Sequence, residues 1–193
     1  MTAPLLIAGV GNIFLADDAF GPEVIQALDR RPLPPEVRVR DYGIRGLDLA
    51  YDLLDGCETA VLVDAARRGH RPGTLSLIEA DPPDGTVAPE AHGMDPARVL
   101  ALATHLGEEP LPRVLVLACE PEVLPGGDED ILPGLSACVR AAVEPAVAAL
   151  HVLVPLLLAD PGAPAAALGR SMESGPAHPA ALPAHAAGTA EDR

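Results

Sequence analysis

Five short apolar runs, all but one followed by a segment with helical spacing or by a loop leading into one, constrain what this chain can fold into more than any other feature. Residues 4–10 (PLLIAGV), 37–41 (VRVRD), 60–64 (AVLVD), 74–80 (TLSLIEA) and 113–118 (RVLVLA) have the length and composition of strands. The first is apolar throughout and ends in glycine, as a strand covered on both faces does. Between the runs, Gly21-Pro22-Glu23 opens a helix with Val24, Ile25 and Leu28 on one side. Residues 47–54 (LDLAYDLL) form a short amphipathic turn of helix, and Asp95-Pro96 caps another whose apolar face includes Val99, Leu100 and Leu102. A long helix is expected over about 135–157, bent or interrupted by Pro145 and Pro155.

This alternation specifies an α/β fold, a three-layer α/β/α arrangement around a five-stranded, mostly parallel sheet. The turn RRGHRPG between the third and fourth runs is too short for a crossover, so the fourth strand is expected to be antiparallel. From Asp160 onward the composition shifts to Ala, Pro, Gly and Ser. The reading is therefore one α/β domain over 1–159 and a disordered tail over 160–193.

Charge narrows the partners. Of the 193 residues, 13 are basic and 28 acidic, for a net charge of −15, and every basic residue is Arg. Such a surface repels phosphate, so neither nucleic acid nor an anionic membrane is an expected partner. With 49% hydrophobic residues and only 2% aromatic, the core must be built from Ala, Val, Leu and Ile. Cys57, Cys119 and Cys138 are odd in number and form no CxxC pair, which fits buried small hydrophobes in a reducing compartment. The first apolar run lacks a basic flank and a cleavage site, and the apolar stretch 146–159 is shorter than the roughly 20 residues of a membrane span. A cytoplasmic protein is expected.

Ligands of a doubly wound sheet bind beyond the carboxyl ends of its strands, so the residues ending each run are the candidates. They are acidic: Asp17-Asp18 after the first run, Asp41 after the second, Asp64 after the third and Cys119-Glu120 after the fifth. His92 follows the fourth and can fold back over the same rim. One reading is a dinucleotide site, from Gly9-Val10-Gly11 and Asp41, but Phe14 stands where GxGxxG requires glycine, and carboxylates occupy the place of a pyrophosphate. Two carboxylates and an imidazole suit a divalent cation better. Position alone leaves open which of Asp17 and Asp18 takes part. Asp17 reads as a solvated carboxylate or a helix N-terminal stabiliser rather than as a ligand. His70, His105, His151, His178 and His185 fall in turns, helices or the tail, and Cys119 reads as packing rather than a nucleophile. No serine-hydrolase, zinc-protease or P-loop motif occurs.

The segments GVGNIFLADDAFG (9–21), DYGIRGLDL (41–49), LVDAARRGHRPGTL (62–75) and HGMDPARVL (92–100) together resemble, in order and spacing, the hydrogenase maturation proteases. The resemblance covers Leu5 to about Leu150. It implies a five-stranded, mostly parallel sheet between helices and an endopeptidase that trims the C-terminal extension of a nickel-iron hydrogenase large-subunit precursor after nickel insertion. Matched position by position, it assigns the catalytic and metal-binding roles to Asp18, Asp64 and His92, with nickel carried by the substrate. Two positions depart from the common pattern: Asp18 where part of the family has Glu, and Ala19 where Gly is frequent. A nucleotide-binding oxidoreductase and a non-catalytic assembly chaperone of the same fold are the competing expectations.

Overall fold

The structure is a computed structural model that describes residues 3–80, 96–107, 110–125 and 131–173. Strands β1 (Leu5–Val10), β2 (Val37–Gly43), β3 (Thr59–Ala65), β4 (Leu75–Glu79) and β5 (Arg113–Cys119) form one sheet in the order β2-β1-β3-β5-β4. All neighbours are parallel except β4 and β5. β1 and β3 are buried at every residue, because helices cover both faces and the apolar runs leave neither side polar.

Helices α1 (Phe20–Leu28), α4 (Ala137–Ala159) and α5 (Ala165–Glu173) pack on one face; α2 (Gly46–Leu54) and α3 (Pro96–Leu106) pack on the other. The alternation along each strand divides the core accordingly. Leu5 and Ile7 of β1 face α1 and α4, whereas Leu6, Ala8 and Val10 face α2 and α3. Side chains such as Phe20, Leu28, Leu49 and Leu150 are essentially solvent-free, each contributing ~1.5–3 kcal/mol by burial. Tyr42 is the large aromatic inside the second layer, and its hydroxyl donates to Asp52 Oδ2 of α2. Asp52 also pairs with Arg40 at 2.8 Å, so β2 and α2 are joined by a polar contact at the edge of an otherwise aliphatic core.

Three features differ from expectation. β4 does not pair with β3, its predecessor; β5 lies between them, in parallel register with β3 and antiparallel to β4. The short turn sets the strand's direction, but a continuous apolar strand such as β5 gains more from two neighbours than from one, and takes the inner place. α4 continues through Pro145 and Pro155 for 23 residues. Pro155 and the Ala141 carbonyl that Pro145 leaves unpaired are on exposed turns of the helix, where water can satisfy the freed groups. Length and hydropathy alone would let α4 cross a membrane, yet Val139, Ala146, Val147, Leu150, Leu153 and Leu157 are packed inside the core. Finally, residues 165–173, read as part of a disordered tail, form a helix with Leu168 only 2% exposed against the first core layer. Alanine is the best helix former, and a single well-placed leucine anchors the segment. Residues 174–193 lie outside the described residues.

The crossovers locate the site. The chain leaves β1 through α1 toward β2 on one side, and through α2 it returns past β1 to β3 on the other, with α1 and α2 on opposite faces. The strand order therefore reverses between β1 and β3, and the crevice beyond their carboxyl ends is the topological switch point.

Candidate active site

Asp18 and Asp64 both belong to this crevice. Asp64 is the penultimate residue of β3, level with Ala118 of β5 and one step beyond the Gly9–Val63 pairing. Asp18 lies in the single 3-10 turn (Ala16–Ala19) that runs from β1 into α1, and this turn touches β3 directly. Two glycines permit the approach. Gly11 has a φ of +130°, and a Cβ there would sit 1.8 Å from the Asp18 carbonyl oxygen. Gly21, in the first turn of α1, lies so close to the strand ends that a Cβ would be 2.3 Å from the carbonyl oxygens of both Val10 and Val63. Ala19 keeps an ordinary helical backbone, φ −71°, so the family's glycine is not needed there; the left-handed residue of the turn is instead Ala16, at φ 47°.

The adjacent carboxylates Asp17 and Asp18 do different work. Asp17 is fully buried. Its Oδ2 accepts the N–H groups of Glu122 and Val123 at 2.8 Å and the Ser136 hydroxyl at 3.0 Å, while Oδ1 accepts Ser136 N–H at 2.7 Å. It is not solvated. It binds the loop after β5 and the N-cap of α4 to the turn, a charge kept inside by four donors. Asp18 is half-buried and turned the other way, with Oδ2 accepting Asn12 N–H at 2.6 Å. Burial raises its pKa above the ordinary aspartate range, and the Asn12 hydrogen bond only partly offsets this. Asp64 is 6% exposed, and its Oδ1 accepts the following Ala65 N–H at 2.8 Å.

His92, the third predicted site residue, lies outside the described residues. Among the described residues no group of three or more His, Cys, Asp and Glu is arranged to hold a metal ion. Cys119 is fully buried, with its thiol pushed up to about 12 by desolvation and then by the nearby Asp17 charge, so it stays protonated and acts as packing.

The nucleotide reading finds little support in this geometry. Asn12 N–H, which a pyrophosphate would need, is taken by Asp18, and Asp41 Oδ1 closes its own turn by accepting Gly43 N–H at 2.8 Å. The crevice instead opens onto an apolar rim that the sequence reading missed. Ile13, Phe14 and Ile44 are exposed on either side of a groove of about 320 Å³, with Gly11, Asn12 and Tyr42 also along it. Ile131 and Leu132 stand next to them, and Leu132 N–H donates to the Phe14 carbonyl at 2.9 Å. Apolar side chains clustered beside carboxylates suit a polypeptide ligand. A larger cavity, about 680 Å³, is lined by Leu100, Pro110 and Arg113 and holds none of the candidate residues.

Comparison with known proteins decides between these readings. A family model described as hydrogenase maturation protease matches residues 22–152. The chain belongs to the hydrogenase maturation protease family. A relative in Azotobacter vinelandii, hydrogenase expression/formation protein HoxM, is 34% identical over 152 residues, covering 76% of this chain and 70% of its own. The hydrogenase 2 maturation protease of Escherichia coli is 31% identical over 146 residues, covering 74% and 85% respectively. Among solved structures, the hydrogenase maturating endopeptidase HybD of Escherichia coli superposes with a TM-score of 0.61 at 27% identity, covering 81% of this chain and 93% of HybD. The mostly parallel five-stranded α/β fold is thus that of a maturation protease, and the protein is a peptidase.

One more carboxylate at this end of the maturation protease is structural. Glu120, just past β5, is buried, and its Oε2 accepts Arg68 N–H at 2.7 Å and His70 N–H at 3.1 Å from the turn after β3. Desolvation opposes its ionisation, but the N–H groups of His70, Arg68 and Gly69 outweigh it and hold its pKa below the ordinary glutamate range. A lowered folded pKa gives stability that is present above the unfolded value and is lost as pH falls through the folded one. Glu120→Gln is therefore expected to be less stable than wild type in urea melts at neutral pH, with the difference closing on acidification below the ordinary glutamate range.

Proposed function

We propose that this protein is an endopeptidase that removes the C-terminal extension of a nickel-iron hydrogenase large-subunit precursor once nickel has been inserted. The observation that carries the reading is the pairing, at the switch point of the sheet, of the Asp18 turn with the Asp64 strand end, beside an apolar groove open to solvent. Relatives named as hydrogenase maturation proteases supply the substrate class.

Peptide hydrolysis needs a group to take a proton from water and one to return it to the leaving nitrogen. Asp18, whose proton is held to higher pH by burial, is suited to such exchange, and Asp64 supplies a second oxygen at the floor of the crevice. His92 is assigned to the same centre through the family resemblance. Nickel belongs to the substrate, bound by the precursor's own ligands; two carboxylates and an imidazole fit a borderline divalent ion and leave positions for those ligands. A bound divalent ion polarises a carbonyl and acidifies water. Ile13, Phe14 and Ile44 line the groove in which the extended peptide lies, and Asn12 N–H holds Asp18 in place there.

The deciding experiment is intact-mass spectrometry of the precursor, nickel-loaded and nickel-free, after incubation with this protein. Loss of a C-terminal peptide from the loaded form alone is the expected result. An unchanged mass for a verified nickel-loaded precursor overturns the proposal.

A further inference from the structure

The turn between β3 and β4 reverses the charge of the molecule around it. Within five residues it carries Arg67, Arg68, His70 and Arg71, all exposed, in a chain of net charge −15. Elsewhere Arg31, Arg38, Arg40, Arg45 and Arg113 are matched with carboxylates at 2.5–3.8 Å. Arg67, Arg68 and Arg71 have no carboxylate partner within ion-pair distance among the described residues. The acid closest to the turn, Glu120, is engaged with its backbone: Arg68 and His70 N–H donate to the carboxylate, and Gly73 N–H donates to the Glu120 carbonyl at 2.8 Å.

That engagement makes the turn rigid. Ala66 N–H donates to the Cys119 carbonyl at 3.0 Å and Glu120 N–H to the Thr74 carbonyl at 2.9 Å, tying both ends of the turn to the end of β5, while Thr74 N–H donates to the Arg71 carbonyl at 3.0 Å within it. The Arg side chains are thus carried by an ordered backbone, and a partner need not order the loop when it binds. The position is equally specific. The turn starts two residues after Asp64, and Arg67 Nη2 donates at 3.0 Å to the carbonyl of Leu124, in the segment that Asp17 holds against the Asp18 turn. The turn, with the Arg67 guanidinium placed against residue 124, therefore flanks the crevice on the side of β3, across from the apolar groove beside β1 and β2.

We infer that Arg67, Arg68 and Arg71 form a docking surface for an acidic segment of the protein substrate, setting which precursor is accepted and how it is oriented over Asp64. This rests on the proteolytic reading above and adds the chemistry of the partner's contact surface. Planar guanidinium groups bind carboxylates in bidentate fashion. A strongly acidic enzyme otherwise repels an acidic partner, so a local basic patch both steers the encounter and fixes its register. A nucleic acid is disfavoured by the charge of the rest of the surface.

The test is steady-state processing of nickel-loaded precursor by the full chain, comparing wild type with the Arg67→Gln, Arg68→Gln, Arg71→Gln triple variant. The expected result is a KM raised roughly tenfold with kcat unchanged, and loss of most of the salt dependence of KM. A triple Arg→Lys variant should restore the salt dependence of KM but only part of the affinity, because charge is retained while the bidentate guanidinium fork is lost. Arg30→Gln with Arg31→Gln, exposed arginines outside the turn, serves as the control for net charge and should leave KM near wild type. Equal KM and equal salt slope in the triple variant and wild type overturn the inference, as does a KM rise as large in the control pair. Because Asp64→Asn can be used to measure precursor binding without turnover, a wild type that binds through the turn but never cleaves would count against the proteolytic reading and leave the docking surface standing.

Discussion

Asp18→Asn is expected to stop precursor processing while leaving the fold as stable as wild type or more so. The substitution keeps the shape of the side chain and an oxygen to accept Asn12 N–H, so the 2.6 Å contact survives. What disappears is a half-buried charge. The folded pKa of Asp18 is raised, first by burial, so between the unfolded and folded values the native state binds more protons than the unfolded state, and wild-type stability falls as pH rises through that window. The variant lacks this loss, and its advantage in thermal melts should appear on going from acid to neutral pH. Activity should move the opposite way, down by ~10²–10⁴-fold as for removal of an acid–base group. Normal folding together with wild-type processing would remove Asp18 from the site. Opposed effects on stability and activity are characteristic of a group kept for chemistry at some cost to the fold.

Gly21→Ala should be strongly damaging although it changes none of the carboxylates. The added Cβ meets two main-chain oxygens at 2.3 Å, one on β1 and one on β3. Neither can rotate aside as a side chain would, so the first turn of α1 must lift off the strand ends. We expect a loss of about 3 kcal/mol or more, together with impaired processing, since Asp18 lies only three residues earlier, in the 3-10 turn that leads into α1. Gly169→Ala is the matched comparison. It sits inside α5 with no atom within 4 Å of its would-be Cβ, and should gain roughly 0.5–1 kcal/mol from helix propensity. Chemical denaturation of both variants measures the contrast. A Gly21→Ala protein as stable as wild type would mean that α1 does not pack on the strand ends as described.

Much of the architecture was legible along the chain because strand and helix patterns are set by burial over a few residues. All five strands fall within the runs read from the sequence or extend them by one or two residues, α1 and α3 start within one residue of the Gly-Pro and Asp-Pro marks, and α2 begins one residue before the amphipathic segment 47–54. The strand-end rule put forward Asp17, Asp18, Asp41, Asp64, Cys119 and Glu120 together, without any contact being known. The choice of Asp18 over Asp17 was not available to that rule, and came only from the resemblance. In the structure the difference between the two is plain: Asp17 is fully spent on donors from residues 122, 123 and 136, more than a hundred positions away.

The same distinction separates what was determined locally from what was decided by packing. Composition and spacing determined an α/β sandwich with an acidic rim, because hydrophobic periodicity and the chemistry of a strand terminus are properties of neighbours in sequence. The tertiary structure alone decided that β5 separates β3 from β4, that Leu168 draws α5 onto the core, and that Ile13, Phe14 and Leu132 gather into one exposed rim. It also decided that Glu120 would hold the Arg67–Arg71 turn rather than join the crevice. Each of these depends on which distant segments exclude water from one another, a free energy that belongs to the assembled layers and to no single stretch of chain.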